Sequence, residues 1–255
     1  MIAENEIRTD NSDNVGIIAL TGRHGTGKTT MINRFEETNP FPNIKVHLAK
    51  SQAKHVYNAY GARIQDALSY EKRLEIQEAI LDSWAREIKE CLKNVDPSKK
   101  NVILTDRSTI DIASYLLVNY TQGMSKELDN RTQDFLNKAL AYAKKHIITT
   151  HIVFKYTFNI DERDFSNLFN TSYIAMHDKL LSGLRTEQPN DYSMPPKIGS
   201  EKVIRAAQSF CVDENDTDLC NFIFNKRYME LSLAVQNIFY PNLIRRMSDN
   251  NSSKS

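Results

Sequence analysis

The chain has 255 residues, 40% hydrophobic and 25% charged, enough for one sizeable core with or without an appended subdomain. Its formal net charge of +1 excludes a global electrostatic pull toward nucleic acid or an anionic membrane, leaving only a local basic patch open. No apolar run approaches the roughly 20 residues that span a bilayer.

Residues 1–14 read as a polar, frayed lead, and its start, Met1-Ile-Ala-Glu-Asn-Glu6, lacks the pattern of a secretory signal. Val15 to Leu20 is short, apolar and rich in β-formers, as a buried parallel strand is. Directly after it, Gly22-Arg-His-Gly-Thr-Gly-Lys28-Thr29 spells the phosphate-binding loop G-x-x-x-x-G-K-T. Met31, Ile32 and Phe35 then fall at helical spacing, and Pro40 ends that helix. Strand, glycine turn and helix start are in register, which gives the motif its weight. Gly22 and Gly27 reach backbone angles closed to other residues. The loop amides, from Gly22, Arg23, His24, Gly25, Thr26 and Gly27 through Lys28, Thr29 and Thr30, are then expected to cradle the phosphates of ATP. Lys28 is expected to reach the β- and γ-phosphates and the Thr29 hydroxyl to ligate Mg²⁺. Arg23 and Gly25 add charge and freedom, and His24 reads as a packing residue, since holding phosphate needs no imidazole.

Ile44 to Ala49 is a second candidate strand. A long helix is expected over 68–93, where Leu74, Leu81 and Ile88 repeat at a spacing of seven and Ile80, Trp84, Cys91 and Leu92 widen the stripe. Asn101 to Asp106 is a third strand. Thr109 to Tyr120 and Lys126 to Lys145 read as helices, and His151 to Phe158 as a fourth strand. Residues 172–184 read as helical. Residues 185–226 read as an irregular, lid-like insertion, with Pro189, Pro195, Pro196, Gly199 and an acidic cluster of Asp213, Glu214, Asp216 and Asp218. Arg227 to Tyr240 is a last helix stopped by Pro241, Asn242 to Arg246 a short fifth strand, and 247–255 a disordered tail. Cys91, Cys211 and Cys220 are too sparse for a disulfide framework or a metal knuckle and read as small apolar residues.

Alternating strands and helices imply an α/β fold: a P-loop NTPase three-layer sandwich with a mostly parallel five-stranded sheet and helices on both faces. The expected domain spans 15–246. Ligands in such sheets sit at the carboxyl ends of the strands, which places Leu104-Thr105-Asp106-Arg107-Ser108 beside the loop. Asp106 can hold Mg²⁺ or take the proton of an attacking hydroxyl, and Arg107 can stabilise phosphate charge through its rigid fork. Ser108 and Asp111 fit a helix capping box. Motor ATPases carry Asp-Glu at this place, with the glutamate polarising water; Asp-Arg suits transfer to a bound acceptor.

Gly22 to Thr30 followed by Asp106-Arg107-Ser108 resembles nucleoside and nucleotide kinases of the thymidylate-kinase and deoxynucleoside-kinase type. Leu74 to Leu81 and Val102 to Asp111 also resemble the small AAA-labelled kinase-like family that includes nicotinamide riboside kinase domains. The likeness covers about 15–160. It implies that Asp106 and Arg107 contact the acceptor or its phosphate. Two departures stand out. No acid follows the second strand, which runs into Lys50, Ser51, Gln52 and Lys54. After the fourth strand a single arginine, Arg163, stands where an arginine-rich lid is expected, with Arg185 and Arg205 further on. Arg163 and Arg185 are the candidate lid arginines, Lys50 and Lys54 candidates for an acceptor phosphate, and Tyr57, Tyr60, Tyr70 and Trp84 candidates to stack a base.

The sequence therefore implies an ATP- and Mg²⁺-dependent kinase with Lys28, Asp106 and Arg107 as catalytic residues and Thr29 with Asp106 at the metal. The expected acceptor is a nucleoside or nucleotide. A hydroxyl on nucleic acid is the alternative acceptor, and a regulatory ATPase switch the alternative class. A cytoplasmic setting is expected, without membrane association and with a homodimer left open.

Overall fold

Val15–Thr21 (β1) is apolar on both faces, and it lies inside the sheet, where both faces are covered. The structure, a computed structural model, describes residues 14–21, 27–50, 52–63, 66–120, 124–143, 150–153 and 217–239. Four strands are described in the order β2-β3-β1-β4: Ile44–Ala49 (β2), Lys100–Thr105 (β3), β1 and Thr150–Val153 (β4). Every pair among them is parallel. Ala19 and Ala49 both stand opposite Thr105, so three strands end near one edge.

Parallel pairing forces each connection to cross the sheet, and helices make the crossings. They are Lys28–Thr38 (α1), Ala53–Ala59 (α2), Tyr70–Lys93 (α3), Thr109–Leu117 (α4) and Lys126–Ala143 (α5); a further helix, Thr217–Phe239 (α6), follows β4. Successive residues of β1 feed opposite faces. Ile18 and Leu20 pack with Met31, Ile32 and Phe35 of α1 and with Leu231, Ala234 and Val235 of α6. Ile17 and Ala19 pack with Leu74, Leu81 and Ile88 of α3, with Ile112 and Leu116 of α4, and with Phe135 of α5. Helices thus cover both faces, giving three layers. The expected stripe on α3 is its buried face, Ser69 caps the helix by accepting from the Lys72 amide, and Cys91 is a buried thiol.

The structure moves several boundaries. α1 begins at Lys28 itself, and β3 stops at Thr105, so Asp106 is the first residue beyond the strand. α4 ends at Leu117, where single-turn bonds from the Asn119 and Tyr120 amides to Leu116 and Leu117 close the helix. Two corrections are larger. α2 was not anticipated, and residues 217–226, expected as irregular insertion, are helical, so Asp218 belongs to a helix rather than a loop. The breakers that suggested a loop lie upstream of Thr217. Outside the described residues lie 1–13, Gly22 to Thr26, 154–158 of the expected fourth strand, the expected helix 172–184, 185–216 of the insertion, the expected strand 242–246 and the tail 247–255.

α6 closes on β1 through Gly16. A Cβ there would meet Ile238 Cγ2 at 2.8 Å and Cδ1 at 3.3 Å. Gly16→Ala therefore forces the helix outward and is expected to cost about 1–3 kcal/mol in urea unfolding. Adding Ile238→Ala to that variant is expected to recover part of the loss, because it removes both colliding atoms.

Candidate functional site

The turn from β1 into α1 passes through Gly27, whose φ of 81° and ψ of 16° are left-handed. A side chain would be strained in that conformation. No side chain caps α1, the arrangement that leaves helix-opening amides to an anion. Thr29, on the first turn, donates from Oγ1 to Asp106 Oδ2 at 3.0 Å. Residues 77 positions apart therefore meet where α1 starts and β3 has just ended.

The turn that carries Asp106 is clamped from behind. Trp84 of α3 donates its indole N–H to Thr105 Oγ1 and to the Arg107 carbonyl, both at 3.1 Å. Thr105 Oγ1 donates to the same carbonyl at 3.0 Å. Trp84 is 4% exposed and serves the core; it is not placed to stack a base. Ser108 then opens α4 with the expected capping box, accepting from the Asp111 amide while Asp111 accepts from the Ser108 amide at 2.7 Å.

Asp111 does more than cap. Its Oδ2 also accepts from the Ser108 hydroxyl at 2.8 Å and from Thr21 Oγ1 at 2.5 Å. The carboxylate is fully buried. Lys28 is 8% exposed and lies in the field of Asp111, Arg107, Asp106 and Arg227. Burial is the largest influence on its ammonium and lowers its pKa from 10.5 to about 8. Asp111 and Asp106 oppose that shift, and Arg107 and Arg227 add to it.

On the other side, the Arg107 guanidinium lies 5.2 Å from the ring centre of Tyr115. Gln77 of α3 donates to the Tyr57 hydroxyl at 3.2 Å. Burial raises the Tyr57 pKa above its usual 10.0, against the pull of Arg73 and Arg107. Arg107 thus lies close to both Lys28 and the ring of Tyr115 on α4.

Of the residues singled out in the sequence, the structure brings together Lys28, Thr29, Asp106 and Arg107. Thr30 is exposed on the first turn of α1, and Lys50 and Lys54 are exposed after β2 and in α2. Tyr60 lies under the Lys72 ammonium at 4.6 Å, and Tyr70 bonds Thr132 on α5, so neither faces this cluster. Arg163, Arg185 and Gly22 to Thr26 lie outside the described residues. Sequence reasoning did not reach Thr21, Gln77, Tyr115 or Arg227. It gave Asp111 only its local capping role, because contacts to another strand leave no trace in spacing.

The profile of the AAA domain family matches residues 17–184. The chain belongs to this family. The AAA domain is similar in fold to a NadR protein in complex with NR, at 15% identity and a TM-score of 0.47, over 71% of this chain and 48% of that one. It is similar to a NadR protein in complex with NAD and AMP-PNP, at 16% and 0.44, over 69% and 42%. It is also similar to thymidylate kinase from Ehrlichia chaffeensis, at 14% and 0.43, over 85% and 98%. The chain spans about half the length of the NadR chains it matches. No curated protein matches it. Among the described residues of this AAA domain, no helix is long and apolar enough to cross a membrane.

The buried lysine has a consequence for stability. Below pH 8 both the folded and the unfolded chain carry its proton, and the folded state bears the full cost of a buried ammonium. Between about 8 and 10.5 only the unfolded chain keeps it, so stability rises with pH through that window. Measured against Lys28→Met, the wild type is expected to gain about 2 kcal/mol between about pH 8 and pH 10 in chemical unfolding without nucleotide. A flat difference between the two proteins contradicts the burial of this charge.

Proposed function

We propose that this AAA domain is a kinase that transfers the γ-phosphoryl group of ATP to a nucleoside or nucleotide. The observation that carries the reading is the hydrogen bond between Thr29 and Asp106, which joins the expected metal-side hydroxyl to the acid after β3. Lys28 and the opening amides of α1 bind the β- and γ-phosphates. Arg107 faces the γ-phosphate from the acceptor side and neutralises charge that develops on its oxygens.

Thr29 Oγ1 and Asp106 Oδ2 are hard oxygen donors side by side on an accessible edge, a set that suits Mg²⁺ rather than a softer metal. No cluster of three or more His, Cys, Asp or Glu is built for a metal among the described residues. Thr29 and Asp106 would hold a Mg²⁺ here. When bound, the ion would supply charge neutralisation for the phosphoryl being transferred.

The acceptor oxygen attacks the γ-phosphorus, and the bond from that phosphorus to the bridging oxygen breaks to leave ADP. With a hydroxyl acceptor, Asp106 is the carboxylate that takes the proton; a phosphate acceptor needs no base. Beside Arg107, the partly exposed Tyr115 offers a phenol and a ring face to the acceptor, which fits a base better than a simple polyol.

Labelled transfer from ATP to a panel of nucleosides, nucleotides and DNA tests the assignment. Lys28→Ala is expected to abolish transfer while the fold persists. Asp106→Asn is expected to slow transfer by about a hundredfold or more while changing stability by less than about 0.5 kcal/mol. Transfer only to DNA moves the acceptor to a polymer. Steady hydrolysis indifferent to every acceptor replaces the kinase with a switch.

A further inference from the structure

Arg107 and Ser108 share one peptide plane, and both of its polar atoms are held. On one side the Arg107 carbonyl accepts the Trp84 indole N–H at 3.1 Å and the Thr105 hydroxyl at 3.0 Å. On the other, the Ser108 amide donates to Asp111 Oδ2 at 2.7 Å, an oxygen that also accepts from Thr21 at the end of β1. The plane is thus tied to α3 through Trp84, to α4 through Asp111 and to β1 through Thr21. Thr105 in turn is fixed in the sheet opposite Ala19 and Ala49. Asp106 lies between Thr105 and Arg107, so its backbone is set from both sides.

The bonds from Thr105 and to Asp111 are local, spanning two and three residues. Trp84 is the distant member, 23 positions before Arg107. It sits on the buried stripe of α3 between Leu81 and Ile88, both fully buried, and its ring centre lies 5.9 Å from that of Tyr142 on α5. A buried indole needs an acceptor for its N–H, and Thr105 Oγ1, also at 3.1 Å, meets that need. The bond to the Arg107 carbonyl goes beyond it. A phenylalanine at this place would fill much the same space and leave the carbonyl to Thr105 alone.

We infer that Trp84 is a positioning residue for phosphoryl transfer: its indole N–H, acting through the Arg107 carbonyl, fixes the turn from which Asp106 and Arg107 reach the transferred group. This rests on the kinase reading of the site. Phosphoryl transfer depends on alignment and preset charge, so a small rotation of this peptide costs rate. It costs little ATP binding, which the same reading assigns to Lys28 and the opening of α1.

Steady-state transfer from ATP to whichever nucleoside, nucleotide or DNA accepts fastest, with calorimetric ATP binding alongside, tests it on the full chain. The proteins are wild type, Trp84→Phe, Thr105→Val and Tyr142→Leu. Trp84→Phe keeps a ring in the core and removes the N–H. It is expected to lower kcat by about tenfold or more, with ATP affinity within about threefold and one ATP bound per chain as in wild type. Thr105→Val removes the other donor to the same carbonyl at similar volume. It is expected to lower kcat as well, and it carries the test if Trp84→Phe does not fold. Tyr142→Leu loosens the packing of the Trp84 ring without removing its N–H and is expected to leave kcat within about twofold. Wild-type kcat in Trp84→Phe overturns the inference. So does a loss of kcat that only follows a loss of ATP-binding protein, or an equal loss in Tyr142→Leu, since either marks a merely structural role. A wild type that transfers to no acceptor overturns the kinase reading and the inference with it.

Discussion

Asp111 is fully buried, and one of its oxygens accepts from Thr21 Oγ1, from the Ser108 amide and from the Ser108 hydroxyl, while its charge bears on Lys28. Thr21 ends β1, Ser108 opens α4, and Lys28 opens α1. A buried carboxylate survives only where hydrogen bonds and opposite charge replace the water it has lost. Each of the three elements is therefore held in the position that satisfies the other two. The contact between Thr29 and Asp106 inherits that alignment, since its two residues lie next to Lys28 and within two residues of Ser108.

The two layers of helices bring different chemistry to this edge. α1, on one face, supplies Lys28. α2, α3 and α4, on the other, supply Tyr57, Gln77, the Trp84 clamp and Tyr115, with Arg107 reaching over from the turn after β3. Parallel registry sets the ends of β1, β2 and β3 near one line, so both sets converge where the strands stop. The split matches the proposed division of labour, with polyphosphate on the α1 side and acceptor on the α3 side.

What the sequence revealed is what local pattern encodes. The strand, glycine turn and helix around Lys28 are contiguous, and their period changes from strand to helix inside 20 residues. Asp106 was legible because Val102 to Leu104 is a short apolar run with a polar end, and Ser108 with Asp111 because a capping box has fixed spacing. α2 escaped because Ala53 to Ala59 is too short to show an apolar stripe. The first half of α6 escaped because the upstream prolines and acids suggested a loop that the helix does not continue. Arg227 and the long-range role of Asp111 escaped for a deeper reason: burial and charge coupling arise from helix packing, and no spacing rule carries them.

The same packing explains why the site is costly to the fold. Lys28 is held in a pocket that disfavours its own charge, next to two guanidinium groups that disfavour it further. A protein selected for stability alone would bury methionine there. Keeping the lysine makes sense where the field of the site is set in advance for an anion, so that no dipole has to turn when phosphate arrives. On the proposed reading, the stability given up at Lys28 returns as binding, because a polyphosphate converts each repulsive cation into an attractive one.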